Sequence, residues 1–219
     1  MEKGKTPSLK NSAKIMAVII LVLWMIKVIE LTLGLDLGVY GVYPRDINNL
    51  TGILTAPLIH GSFEHLFANT LPLFILGTAL LFSYPKAAKY TLPIIYIGSG
   101  IGVWLFARDS YHIGASGLTH GLMFFLFVIG ILRRDKPSIA LALVVFFLYG
   151  GMIVTIFPTQ ENISFESHFF GALMGVLCAF LFRNVDTKPE EKKYSWEIDQ
   201  EQQASDLNDS NNENNRFPP

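Results

Sequence analysis

A hydroxyl, an amide or an imidazole inside an apolar helix is costly, and such groups usually mark a site. In this 219-residue chain five stand out: His65, Asn69, Ser116, His120 and His168. Imidazoles carry protons at neutral pH, and a serine hydroxyl beside a base can attack a carbonyl. Each residue also has a plainer reading. A membrane serine can bond back to its own helix, and Asn69 can be an interhelical hydrogen-bonding residue. His60 and His112 fall in or near loops and read as structural. A metal site is not expected: there is no HExxH, and Glu64–His65 lacks a partner at the needed spacing. Gly114–Gly117 is also not the nucleophile elbow of soluble hydrolases, because GxSxG would put glycine at Leu118.

The elements that must hold these residues are membrane helices. Hydrophobic residues make up 51% of the chain and charged ones 16%, against about 25% charged in soluble domains. The single cysteine, Cys178, lies in an apolar run and reads as a small buried hydrophobe. A spanning helix needs about 20 apolar residues. About six candidates follow, near 15–33, 63–82, 90–106, 115–132, 139–157 and 167–182. The first lacks a small-residue cleavage site and is followed by further spans, so it reads as a retained helix. The expected fold is an all-α polytopic bundle of six transmembrane helices. A short N-terminal segment, 1–14, precedes the membrane domain, 15–184. A polar tail, 185–219, follows and reads as disordered.

Basic residues orient the bundle. Lys3, Lys5, Lys10 and Lys14 precede the first span, and Lys86 and Lys89 lie between the second and third. Arg133, Arg134 and Lys136 separate the fourth and fifth, and Arg183, Lys188, Lys192 and Lys193 follow the sixth. The alternate loops hold only Arg45 and Arg108. Both termini are therefore expected in the cytoplasm. On this orientation the polar membrane residues share one depth, near the outer ends of their helices. Lys27 and Glu30, near the outer end of the first span, are i,i+3 and can pair. His65 and Asn69 are i,i+4 on one face. Gly117–Gly121 and Gly171–Gly175 are paired at GxxxG spacing, which lets helix backbones approach closely in lipid. If the two pairs pack together, Ser116 and His168 come near each other.

These residues resemble a known family. Gly114-Ala115-Ser116-Gly117 resembles the GxSG motif of rhomboid intramembrane proteases. His168, Gly171 and Gly175 resemble their HxxGxxxG, and His60, His65 and Asn69 resemble the second-helix motif. Tyr43-Pro44-Arg45 is similar to the loop motif after the first helix, so the resemblance covers about 35–185. It implies a six-helix fold and a Ser116/His168 dyad without a third carboxylate. It assigns the oxyanion to the Ser116 backbone N–H and the side chains of His65 and Asn69, with Ala115 in the binding motif. His60, Gly114, Gly171 and His120 stand around these residues. The family often carries Tyr or Phe at the position of His120, packed on the catalytic histidine, so His120 is expected to point toward His168. The implied activity is serine endopeptidase cleavage of transmembrane proteins near the outer face, in a bacterial plasma membrane. The implied partners are those substrates and the lipid bilayer, with no cofactor, metal or nucleic acid. Two other readings remain: an inactive relative that binds membrane helices, and a small transporter. The apolar inner halves of the helices speak against a transport path.

Overall fold

A computed structural model describes residues 8–158, 163–188, 199–200, 202–205 and 207–208. The chain divides into two units, 1–187 and 188–219. In the second unit, residues 199–200, 202–205 and 207–208 have helical backbone. Lys3, Lys5, Lys192 and Lys193, together with much of the expected tail, lie outside the described residues.

The first unit is all-helical. Its α-helices are α1 (Leu9–Thr32), a short α2 (Gly52–Thr55), α3 (Phe63–Ser83), α4 (Pro85–Phe106), α5 (Ser116–Arg133), α6 (Lys136–Tyr149) and α7 (Phe165–Phe182). A 3-10 segment, Gly150–Ile156, continues α6. Among the described residues, five helical stretches are long and apolar enough to cross a membrane: α1, α3, α5, α7, and α6 with its extension. The remaining expected span is α4. It has 22 residues, but its lysines, glycines and prolines dilute its apolar character. α1 begins at Leu9, so Lys10 and Lys14 belong to the helix itself.

The helix ends follow local chemistry. The Ser62 hydroxyl caps α3 by accepting from His65 N–H, and Asp135 caps α6 by accepting from Ser138 N–H at 3.0 Å. Pro72 and Pro93 sit inside α3 and α4. Packed membrane helices tolerate proline because neighbouring groups can satisfy the freed carbonyls.

α5 is the centre of the bundle. Twelve of its 18 residues are buried, and it packs against α3, α4, α6 and α7. α6 is peripheral, with only Ser138, Ala142 and Val145 buried. The α5–α7 contact is backbone on backbone. A Cβ added to Gly171 would strike the Gly117 carbonyl, and one added to Gly175 would strike the Gly121 carbonyl. The two GxxxG pairs therefore interlock, and this fixes the register of α7 against α5.

At the Arg133 end of α5, Asp186 accepts from Lys86 N–H and Ala87 N–H, both at 2.9 Å, and so caps α4. Arg133 donates to the carbonyls of Asp186 and Arg183. Residues from three of the expected basic segments, Lys86, Arg133 and Arg183, thus meet at one end of the first unit. Ser116 opens α5 at the other end, 17 residues away, or roughly 26 Å along the helix at 1.5 Å per residue.

Candidate active site

The segment before α5 is held from several sides. Val42 and His112 exchange both backbone hydrogen bonds at 2.9 Å, and Gly114 N–H donates to the Ala56 carbonyl at 2.9 Å. Ala115 N–H donates to His60 Nε2 at 3.3 Å. Gly114 has φ +108°, a region L side chains rarely adopt. A Cβ there would also lie 2.6 Å from the His65 ring. The glycine is thus required twice, by its dihedral and by the imidazole laid against it. Ser116 follows as the first residue of α5 and is buried.

His60 does more than fill a loop. Its ring packs edge-on to His65, with centroids 5.1 Å apart. Burial pushes its imidazole down to about 4, and nearby His65 and Lys27 act in the same direction. A neutral ring suits its task, since Nε2 must keep a lone pair for the Ala115 N–H. Lys27 pairs with Glu30 at 2.8 Å, as the spacing predicts, and also donates to the Gly61 carbonyl at 3.2 Å. This buried pair anchors the loop carrying His60.

His112 is likewise a buried structural residue. Its Nε2 lies 3.0 Å from the Arg108 carbonyl, which can only accept, so Nε2 carries the proton. Nδ1 then accepts from the Ser164 hydroxyl at 2.6 Å. Burial lowers its pKa.

The interlocked glycines bring the first turns of α5 and α7 to one level. The Ser167 carbonyl would lie 3.1 Å from a Cβ on Gly117, so His168 stands across from the start of α5. His168 and His120 stack face to face, with centroids 3.9 Å apart and planes 11° apart. His120 therefore points at His168, as the sequence predicts. No hydrogen bond joins Ser116 Oγ to His168 among the described residues. Ser116 is linked to His120 instead, whose Nδ1 donates to the Ser116 carbonyl at 2.7 Å. His168 Nδ1 lies 3.0 Å from the Thr155 carbonyl. That acceptor requires a proton on Nδ1, which leaves the Nε2 lone pair available to act as a base.

The second-helix residues divide. His65 reaches the segment leading into Ser116 through Gly114. Asn69 is buried and donates to the His65 carbonyl of its own helix at 3.1 Å, which leaves its second amide N–H for another acceptor. Sequence reasoning passed over Thr155, which touches both His168 and His120. The depth rule that singled out the other residues could have found it, because Thr155 lies near the outer end of the fifth expected span. Among the described residues no group of three or more His, Cys, Asp or Glu is placed to hold a metal ion.

Comparisons with known proteins agree with this architecture. The Rhomboid domain matches residues 48–185. An uncharacterized protein of Mycobacterium tuberculosis is 35% identical over 179 residues, covering 78% of this chain and 73% of its own. An uncharacterized Mycobacterium leprae protein is 30% identical over 179 residues, covering 78% of this chain and 69% of its own. A Bacillus subtilis protein named "Putative rhomboid protease" is 30% identical over 139 residues, covering 59% of this chain and 65% of its own. With a family match across most of its helical unit, this integral membrane chain belongs to the rhomboid family.

Proposed function

We propose that the chain is an intramembrane serine endopeptidase that cuts transmembrane proteins near the outer membrane face. Ser116 is the nucleophile and His168 the general base. The carrying observation is the glycine-locked register of α5 and α7, which sets these two residues at one level. The Thr155 carbonyl at His168 Nδ1 adds the correct tautomer.

In acylation, His168 Nε2 takes the Ser116 Oγ proton as Oγ attacks the substrate carbonyl, then gives it to the leaving amine. No carboxylate is needed to orient the ring, because a backbone carbonyl serves. The oxyanion is received by Ser116 N–H, His65 and the second N–H of Asn69. One such donor in a low-dielectric site is worth about 3 kcal/mol of barrier. Water then hydrolyses the acyl-enzyme. The substrate helix must unwind at the cut, since helical bonding hides the scissile carbonyl. The absent Ser116–His168 bond is consistent with a resting site, where catalytic contacts are often long. A helix-binding relative without turnover is the reading that this absence would favour.

Cleavage of a transmembrane test substrate by pure protein separates the two. Wild type is expected to cleave, and Ser116→Ala to fold normally and lose all turnover. Turnover retained by pure Ser116→Ala would remove Ser116 as the nucleophile.

A further inference from the structure

Thr155 closes a small circuit around the candidate base. It lies in the 3-10 segment that extends α6. Its carbonyl accepts from His168 Nδ1 at 3.0 Å. Its hydroxyl lies 2.8 Å from His120 Nε2. His120 Nδ1 must be protonated to donate to the Ser116 carbonyl, so in the neutral ring Nε2 accepts from the Thr155 hydroxyl. The Met152 carbonyl, 2.8 Å from the same hydroxyl, is the alternative acceptor. Face-to-face stacking of His120 on His168 completes the circuit.

The carbonyl is free for this task because of the local sequence. A 3-10 turn would draw the donor for the Thr155 carbonyl from position 158. That residue is Pro158, which has no N–H. The same proline holds Phe157 extended, at φ −99° and ψ 156°, and so ends the segment. The carbonyl thus lacks a 3-10 donor, and the His168 ring supplies a donor. Tyr or Phe at position 120 would offer the stack without a ring nitrogen for Thr155.

We propose that Thr155 is a positioning residue: its carbonyl selects the Nδ1–H tautomer of His168, and the His120–Thr155 hydroxyl contact holds that carbonyl in place. The proposal rests on the reading of His168 as the base. Orientation of a base matters chiefly in the transition state, so disturbing it lowers kcat and leaves KM nearly unchanged.

The test uses the full chain in detergent, with 15N-labelled histidine, and a transmembrane test substrate. The His168 signals are assigned by their loss in His168→Gln. Wild type is expected to show His168 as a single neutral tautomer protonated on Nδ1. Thr155→Val keeps the shape and removes the hydroxyl. It is expected to lower kcat about ten-fold at unchanged KM and to populate the Nε2–H tautomer. Thr155→Ser is expected to restore both. His120→Phe keeps the stack and is expected to match Thr155→Val, with the double variant no worse than either single one. A wild-type His168 protonated on Nε2 overturns the proposal, as does a Thr155→Val protein with wild-type kcat and tautomer. Wild type that shows the expected tautomers, lost in Thr155→Val, yet cleaves nothing supports the positioning role and sinks the protease reading instead.

Discussion

Asn69 already gives one amide N–H to its own helix, and the proposed mechanism asks the other to meet an oxyanion that exists only during reaction. Asn69→Ala is therefore expected to lower kcat about 100-fold, the equivalent of one lost donor, with little rise in KM. A variant raised only in KM would make Asn69 a substrate-binding residue. His60 permits a test that needs no substrate. Its imidazole titrates at about 4 in the folded chain against an ordinary value of 6.5. Between those values the unfolded chain holds a proton that the folded chain does not. Stability therefore falls as pH drops through that window and levels off below it, by about 3 kcal/mol at most. His60→Gln keeps an acceptor for the Ala115 N–H and loses the titration. Thermal unfolding in detergent should show a shallower pH dependence over this window in the variant. Equal slopes would show that His60 is protonated in the folded chain as readily as in the unfolded one.

The α5–α7 seam decides whether two distant residues meet. Gly171→Val places a branched side chain against the Gly117 backbone, where neither helix can yield without moving. Overpacking of this kind costs about 1–3 kcal/mol, and here it also pushes His168 away from the start of α5. The expected result is a lower unfolding temperature together with loss of turnover. Full activity would mean that the seam does not set the site. This element was legible in the sequence because small residues at a spacing of four carry their meaning locally. The shared depth of His65, Asn69, Ser116, His120 and His168 was legible for a similar reason, since helix ends and basic loops can be counted. Thr155 was legible only in part: the depth rule reaches its hydroxyl, whereas the role of its carbonyl emerges only in the fold. The capping of α4 by Asp186 was hidden too: donor and acceptor lie about 100 residues apart and meet only in the folded bundle. α4 itself was found by length, although its lysines, glycines and prolines dilute its apolar character.

Across the whole molecule, two polar clusters occupy opposite ends of an apolar bundle. At one end Arg133, Asp186 and the first residues of α4 tie helix termini together. At the other, the loops around Val42, His60 and His112 hold the segment that leads into Ser116. On the orientation expected from the positive-inside rule, the basic end is cytoplasmic and the proposed chemistry lies at the outer face, where water can enter. The central claim is that Ser116 is a nucleophile activated by His168. Labelling of the full chain with a serine-reactive phosphonate, followed by mapping of the modified peptide, tests it most directly. The account predicts one covalent adduct, on Ser116, absent in Ser116→Ala and strongly reduced in His168→Ala. An unlabelled wild-type protein, or an adduct that persists in Ser116→Ala, would contradict it.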